Sequence, residues 1–488
     1  MPVRLNRRAF LSAASVVLMA RRPFAQVPRT AEVVVVGGDP AALAAVYRLT
    51  RTAALRVVLV HDSPADVADV VAPSAATLEP FVRGHQVCFD SWRDMGNPGW
   101  GYEDVLPSFK RLERYEAGAS EYRGGDGPIP VVHCWDPHPL HRAFLLAAVS
   151  GGYQQDSRHD FNRPRSQSIA GFYQKRLDDD GPVPLETALL EPARTTRNFS
   201  ELHGTVRRVI VEGGRAVGVA VERDGTVEVV RAARGVIVAA GAARAAQLLM
   251  LSGIGPPDDL RAAGLPVVAA CPGVGANLQD HVTVPVRWRA LERAAHLPES
   301  SVSVGLYGVS YNATPPDLPM DVVAPRGAGR LELGLDVTLV QAATRGSIRL
   351  GSTDARDGVR VAFGAADTAA DVEALARGVR LARLCGSGAS LDGWRDGETA
   401  ATARSLSTAE LEAFVRGAAT RRGHLAGTCA MGPAVEAGAV VNARLAVHGV
   451  DGLFVAGASV MPVVVNAPPE AAALMIGDRA ADFVLAAG

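Results

Sequence analysis

The chain lacks a strong net charge. Its 50 lysines and arginines almost balance 51 aspartates and glutamates, which leaves a formal net charge of −1 over 488 residues. Neither a basic run nor an internal repeat stands out, so we expect no nucleic acid and no anionic membrane surface as a partner. With 48% hydrophobic and 21% charged residues, the composition is that of an ordinary folded protein, and the length predicts two lobes.

Cysteine is scarce, and its placement shows no pattern. Because the number of cysteines is odd, at least one thiol is unpaired within the chain, and no pair has the spacing of metal ligands. We therefore predict no metal site. The five cysteines are Cys88, Cys134, Cys271, Cys385 and Cys429.

The N-terminus lacks a hydrophobic run long enough to cross a bilayer, since Leu11 to Ala20 covers only half the usual length. This run follows Asn6 to Leu11, which resembles a twin-arginine export motif. We predict that residues 1–26 are a signal peptide, that the mature chain has no transmembrane span, and that it is periplasmic or otherwise extracytoplasmic. The alternative is a basic N-terminus with no targeting role. Since this pathway exports folded proteins, we expect no essential disulfide.

A βαβ unit of the dinucleotide-binding type is predicted near the N-terminus. Glu32 to Val36 and Arg56 to Val60 read as buried parallel strands, with a helix between them. In the glycine fingerprint of such a unit, Gly37 fills the first place and Ala42 the third. The middle place, which normally approaches a pyrophosphate closely, is Asp39.

Asp39 has two interpretations. Asp-Pro is a favoured N-cap and first-turn pair, so its carboxylate could occupy the helix N-terminus that otherwise receives a phosphate. Alternatively, a dinucleotide still binds in a displaced position. Like charges about 4 Å apart repel by roughly 4 kcal/mol at an effective dielectric near 20, so the two interpretations exclude each other locally.

Two long motifs carry a resemblance to a known family. Residues 235–281 read as a buried strand and helix followed by LSGIGP and PGVGANLQDH, and residues 423–432 read GHLAGTCAMG, followed by VVNARLAVHGVDGLFVAGASVMP. These segments closely resemble the glucose–methanol–choline (GMC) flavin oxidoreductases, choline dehydrogenases among them. The resemblance implies an α/β chain, α+β overall: a Rossmann-like FAD-binding lobe and a substrate lobe built on an antiparallel sheet and helices.

The resemblance also implies how the lobes divide the chain. We expect residues 30–85, 196–285 and 421–488 to form the discontinuous FAD-binding-type lobe, and residues 86–195 and 286–420 to form the substrate or cap lobe.

Several positions implied to touch FAD depart from the family pattern. His61 takes the place of the acid that binds the adenosine ribose, with Asp62 as an alternative one residue later. Gly457 replaces an aspartate that contacts the cofactor's polar chain, and residues 71–77 replace a GGSS-type motif. The implied FAD-contacting residues are Gly37, Gly38, Ala42, His61, Val206 (against the adenine), Gly457 and Ala458.

Alcohol oxidation by a flavin needs a base for the hydroxyl proton and a second group that holds the substrate oxygen. By resemblance, His424 in GHLAGTCAMG is the base. Counting without gaps places Glu470 at the second position, whereas Asn466, in an Asn-Ala-Pro triplet, reaches it only with compensating gaps. We interpret His203 and His281 as structural.

The sequence thus predicts an exported, FAD-dependent enzyme that oxidises a small-molecule alcohol by hydride transfer, with an unknown electron acceptor (oxygen, quinone or cytochrome). The altered FAD positions raise an alternative, a flavin-free GMC-fold protein that acts as an envelope binding or partner subunit.

Overall fold

The computed structural model describes residues 30–52, 55–62, 79–134, 138–164, 168–179, 181–294, 303–309, 316–323, 332–399 and 407–487. The predicted signal peptide and the altered segment 71–77 lie outside the described residues. The helices are α1 (Pro40–Thr50), α2 (Gln86–Asp94), α3 (Tyr102–Leu112), α4 (Pro139–Ser150), α5 (Glu191–Arg194), α6 (Gly241–Leu251), α7 (Pro257–Ala262), α8 (Ala369–Gly386), α9 (Thr408–Ala418) and α10 (Glu470–Ala486).

The strands in the first half of the chain are β1 (Thr30–Gly37), β2 (Val57–His61), β3 (Glu113–Tyr115), β4 (Ile129–His133), β5 (Gln154–Gln155), β6 (Ile169–Phe172), β7 (Gln174–Lys175), β8 (Leu177–Asp178), β9 (Gly181–Pro182), β10 (Phe199–His203), β11 (Thr205–Glu212), β12 (Arg215–Arg223) and β13 (Thr226–Ala239). Those in the second half are β14 (Ile254–Gly255), β15 (Ala269–Ala270), β16 (Val282–Ala290), β17 (Val304–Gly308), β18 (Leu318–Val323), β19 (Glu332–Leu339), β20 (Ser347–Leu350), β21 (Val359–Ala362), β22 (Arg395–Glu398), β23 (Thr420–Arg421) and β24 (Leu453–Val455).

The first large sheet is the predicted Rossmann-like layer. Its strand order is β10–β2–β1–β13–β12–β11, with β24 also paired to β13. Strands β10, β2, β1, β13 and β24 run parallel, whereas β11, β12 and the first part of β13 form an antiparallel meander. The central strands are buried on both faces, as their unbroken valine runs predict.

The second large sheet is mostly antiparallel and belongs to the predicted substrate lobe. Its order is β22–β16–β19–β18–β17–β6–β5, with β23 also paired to β16. Helices α4 and α8 cover it, and a hydrophobic core separate from that of the first sheet lies between them. The predicted fold class, α/β with an antiparallel second lobe, is confirmed.

Helices α1 and α10 pack directly against each other beside the first sheet. Asp39 caps α1 and Pro40 takes its first turn, which is the pair that the sequence favours at a helix start. Gly477 of α10 allows the close approach, because a Cβ there would lie 2.1 Å from the carbonyl oxygen of Ala41. In the part of the chain that the structure describes, none of the helices combines the length and the apolar composition needed to span a bilayer.

Gly477→Ala should therefore destabilise the protein by about 1–3 kcal/mol, because the added methyl group overpacks a rigid contact between two helix backbones. The free energy of unfolding from urea denaturation measures this effect. Gly417→Ala in α9 is the matched control: a Cβ at Gly417 meets nothing within 4 Å. This change should be neutral or stabilise by up to about 1 kcal/mol. Equal effects at the two positions would contradict the packing argument.

Candidate active site

His424 lies in a loop that the carboxylate of Asp280 holds in place. The backbone N–H groups of Gly423 and His424 donate to Asp280, to Oδ2 at 3.1 Å and to Oδ1 at 2.7 Å. The loop follows β23, and 5% of His424 is exposed. Asp280 is the middle residue of the QDH sequence that precedes β16, so the two motifs that carry the family resemblance meet here.

The imidazoles of His281 and His424 share a hydrogen bond between their Nδ1 atoms, at 2.8 Å. Nε2 of His281 lies 3.0 Å from the carbonyl oxygen of Val465, which can only accept, so this nitrogen carries a proton. Burial and the neighbouring His424 lower the pKa of His281 well below its ordinary value. His281 is therefore neutral and accepts at Nδ1, so Nδ1 of His424 donates and Nε2 of His424 is left to act on a ligand.

The other ring nitrogen of His424, Nε2, faces the carboxylate of Glu79. Both carboxylate oxygens lie 3.1 Å from Nε2 of His424. Burial by itself would raise the pKa of Glu79, but His424 and Arg422 together hold that pKa at about 2. Glu79 is therefore ionised and accepts the hydrogen bond.

A small cavity of about 20 Å³ with a mixed polar and apolar lining lies beside His424, enough for about one water molecule. Arg422 crosses its wall, with Nη2 3.3 Å from Asp321 and Nε 3.8 Å from Glu79. The Tyr173 hydroxyl donates to the other oxygen of Asp321 at 2.8 Å. The sequence analysis did not single out Glu79, Arg422, Asp321 or Tyr173 as site residues. Of these four residues, only Arg422 could have been predicted as a site residue from the sequence, because it lies two residues before His424.

The two candidates for the second catalytic position lie in different surroundings. Asn466 is buried, accepts from the backbone N–H of His85 at 2.8 Å and donates to the carbonyl oxygen of Pro316 at 3.1 Å. Glu470 begins α10 and forms an ion pair with Arg176 at 3.3 Å. The amide of Asn466 is thus occupied in holding loops together, whereas Glu470 keeps a partly exposed carboxylate.

The glycine loop after β1 has the predicted shape. Gly37 has a φ of +124°, and a Cβ there would lie 1.8 Å from the carbonyl oxygen of Ala239, so only glycine fits. Gly38 is open, since a Cβ there would meet only the His61 ring, at 3.9 Å. Ala42 is buried in the first turn of α1, and its N–H donates to Asp39 at 2.9 Å.

His61, the residue predicted at the ribose, turns toward its neighbouring strand. Its Nε2 lies 2.8 Å from Glu201, and its ring stacks on His203 with centroids 4.4 Å apart. Glu201 in turn binds Arg194. His203, interpreted as structural from the sequence, thus supports the position of His61.

Val206, the residue predicted against the adenine, already has partners for both of its backbone groups. Its N–H donates to Asp62 at 3.0 Å, and its carbonyl oxygen accepts from Arg244 at 2.6 Å. Asp62 and Arg244 also form an ion pair with each other at 2.7 Å.

Gly457 and Ala458 follow β24 at the carboxyl edge of the first sheet. Gly457 has a φ of +96°, and a Cβ there would lie 2.7 Å from the Asp39 carboxylate. Ala458 starts a short turn, and its carbonyl oxygen accepts from the N–H of Gly427 at 3.1 Å. The residues predicted around a dinucleotide therefore do converge at one edge of the sheet, as a Rossmann-like topology requires.

The chain combines a Rossmann-like cleft with a histidine-centred site beside an antiparallel lobe. This combination is that of the flavin-type oxidoreductases. Family models described as GMC oxidoreductase match residues 77–283 and 342–477. The chain belongs to the GMC oxidoreductase family. This membership supports FAD-dependent oxidation of an alcohol as its activity, and nothing in the comparisons favours a flavin-free protein.

Similar proteins agree with this assignment. Oxygen-dependent choline dehydrogenase of Rhizobium etli is 32% identical, and the match covers 83% of this chain and 79% of that protein. Mitochondrial choline dehydrogenase of Mus musculus is 34% identical, with 83% and 73% covered. Among solved structures, pyridoxine 4-oxidase from Mesorbium loti has a TM-score of 0.82 at 26% identity, and 92% of this chain and 98% of that chain are covered.

The residues around the adenosine diphosphate half of the cleft do not fit FAD as they stand. The N–H groups that face the diphosphate position are bonded to Asp39, and both backbone groups of Val206 are bonded to Asp62 and Arg244. A dinucleotide placed there would meet two carboxylates.

The low pKa of His281 predicts a pH-dependent stability. Below about pH 6.5 the unfolded chain protonates His281 while the folded chain does not, so the folded state loses stability as pH falls, by at most about 1.4 kcal/mol per pH unit. His281→Asn should flatten this dependence between pH 7.5 and 5.5, as measured by urea denaturation. A difference between variant and wild type that stays constant over this range would contradict the assignment.

Proposed function

We propose that this chain oxidises the CH–OH group of a small polar alcohol, with Nε2 of His424 as the base that takes the hydroxyl proton and with FAD, when bound, as the group that would accept the hydride. One observation carries the proposal: Nδ1 of His424 is committed to His281, whereas Nε2 faces the partly exposed carboxylate of Glu79. A base must lie within hydrogen-bond reach of the proton it removes, and Nε2 is the atom that meets this condition.

In this proposal the substrate hydroxyl replaces the Glu79 carboxylate beside His424. Glu79 is held there by polar contacts and is partly exposed. Because its hydrogen bond to His424 places a proton on Nε2, Glu79 takes this proton as it is displaced, and Nε2 then meets the substrate hydroxyl as a base. Arg422 then lies within about 4 Å of the incoming oxygen, judged from its present 3.8 Å separation from Glu79. A guanidinium at that distance stabilises the negative charge that develops on the oxygen as its proton leaves.

We further propose Glu470 as the second polar group that holds the substrate. Burial raises the pKa of Glu470 against the lowering effect of Arg176, and the charge of Glu79 raises it further. The raised pKa shifts this carboxyl group toward its protonated form, and that form can donate a hydrogen bond to the substrate oxygen.

His424→Ala should lower kcat/KM by about 10²–10⁴-fold, because the general base is lost while the fold is retained. Steady-state turnover with an artificial electron acceptor measures the effect. His448→Ala is the matched control, since the hydrogen bond described for the His448 ring is to the carbonyl oxygen of Gly432. Unchanged turnover in His424→Ala would remove the assignment.

The cavity favours neutral or anionic alcohols over choline, although choline dehydrogenases are among the relatives. Among the described lining residues, Asp321 is the acidic group, and Tyr173 and Arg422 already bind its two oxygens. The quaternary ammonium group of choline would therefore face an arginine at that wall and would find no unpaired carboxylate there. A substrate panel should therefore show a higher kcat/KM for small neutral or carboxylate-bearing alcohols. Choline as the best substrate would contradict this preference.

We also propose export by the twin-arginine pathway, on the strength of the motif at residues 6–11. Arg7→Lys with Arg8→Lys should retain the protein in the cytoplasm, because the pathway requires the arginine pair. Immunoblots of periplasmic and cytoplasmic fractions measure the outcome. The same substitutions at Arg21 and Arg22, beyond the apolar run, serve as the charge-matched control. Equal export of both double variants would contradict the proposal.

A further inference from the structure

The N-terminus of α1 already has an anion, and Asp39 supplies it. One carboxylate oxygen of Asp39 accepts from the N–H of Ala42 at 2.9 Å, and the other accepts from the N–H of Gly241, the first residue of α6, at 3.2 Å. Two helix N-termini therefore share a single carboxylate. Unpaired N–H groups at a helix start are the usual ligands of a phosphate, so Asp39 uses the donors that a diphosphate would need.

Asp39 and Gly457 lie so close together that the side chain at one position restricts the side chain at the other. A Cβ on Gly457 would lie 2.7 Å from Oδ2 of Asp39, so the present carboxylate and any side chain at 457 exclude each other. The family pattern has glycine at the first position and aspartate at the second. The two departures seen separately in the sequence are thus one reciprocal exchange, in which the carboxylate has moved from the end of β24 to the start of α1.

A second internal group lies against Val206. Asp62 and Arg244 form an ion pair through two contacts, at 2.7 and 3.1 Å, and their side chains are almost fully buried, with exposed fractions of 0% and 3%. Asp62 accepts from the N–H of Val206 while Arg244 donates to its carbonyl oxygen. The pair offers this backbone an acceptor beside a donor, as the Watson–Crick edge of adenine does.

The Asp62–Arg244 pair is anchored on further elements. Arg244 also donates to the side chain of Gln247 at 2.7 Å and to the carbonyl oxygen of Ala355 at 2.9 Å. It therefore joins the end of β2, the start of β11, helix α6 and the segment after β20. An adenine could reach Val206 only after these contacts separate, and a buried charge that loses its partner strongly destabilises a protein.

We propose that the adenosine diphosphate half of the dinucleotide cleft is closed by the chain itself, with Asp39 in place of the diphosphate and the Asp62–Arg244 pair in place of adenine. FAD binds through these contacts only by displacing them. The apparent dissociation constant for FAD is then raised by the inverse of the fraction of molecules whose cleft is open. This inference rests on the proposed function only in taking FAD as the ligand of the cleft.

The electrostatic surroundings of Asp39 are consistent with a side chain that a ligand can displace. Burial raises the pKa of Asp39 to about 6, against the N–H groups of Ala42 and Gly241, which favour the carboxylate. Burial thus makes the charged form of Asp39 less stable than that of an exposed aspartate, although two hydrogen bonds hold the carboxylate in place.

The test is the affinity of the full chain for FAD, measured by flavin fluorescence during titration of the apoprotein. The double variant Asp39→Gly with Gly457→Asp restores the family arrangement and should bind FAD at least tenfold more tightly than wild type. Asp224→Gly is the matched control: this aspartate lies in the exposed β12–β13 turn with a φ of +50°, so the change suits the backbone and leaves the cleft untouched. It should bind FAD as wild type does.

Two results would overturn the proposal: a wild-type chain that keeps one FAD per molecule through dialysis, or a double variant whose affinity equals that of wild type. Asp39→Asn keeps the helix cap and removes the charge, so it carries the test if the double variant unfolds, and it should show a smaller gain. A rise in the unfolding temperature with added FAD provides a second readout. Because these experiments measure binding, their failure leaves the role of His424 to be judged separately by turnover.

Discussion

The cleft depends on one constraint: the N–H groups at the start of α1 and α6 need hydrogen-bond acceptors. Both helices begin at the carboxyl edge of the parallel strands, where their first N–H groups have no partner within the helix. Such groups need an acceptor, either from a ligand or from the chain. Here a single carboxylate accepts one N–H group from each helix, and this contact joins the end of β1 to the end of β13.

The same requirement shapes the histidine site. His424 is buried, and its three nitrogen atoms all have partners: Asp280 for the backbone N–H, His281 for Nδ1 and Glu79 for Nε2. Two of these partners are rigid parts of the fold, while Glu79 is partly exposed. His281 thus fixes the proton on one ring nitrogen of His424, and a carboxylate that we propose to be displaceable faces the other. In both proposals, a carboxylate of the chain occupies a place that a ligand would take.

Local patterns were sufficient for much of the fold. The valine runs of β1 and β2 and the Asp-Pro start of α1 each depend on neighbours within a few residues. The structure confirms the predicted α/β class with a second antiparallel lobe, and family membership confirms the resemblance read from the two long motifs. The assigned roles of His424 and Glu470 remain predictions.

Contacts between distant segments could not be read from the sequence. Asp62 and Arg244 are 182 residues apart, and Glu79 and His424 are 345 apart, so no periodicity relates them. The exchange between Asp39 and Gly457 was visible only as two unrelated departures, because the proximity of β1 and β24 is set by the order of strands in the sheet.

The sequence by itself determined the family, the secondary structure around the glycine loop and the motif that carries His424, since these follow from short-range patterns of side-chain size and backbone freedom. Only the tertiary structure decided which polar groups meet. Whether a buried carboxylate faces a helix start, an arginine or an imidazole depends on how separate strands and loops pack together, and that choice controls what the cleft can admit.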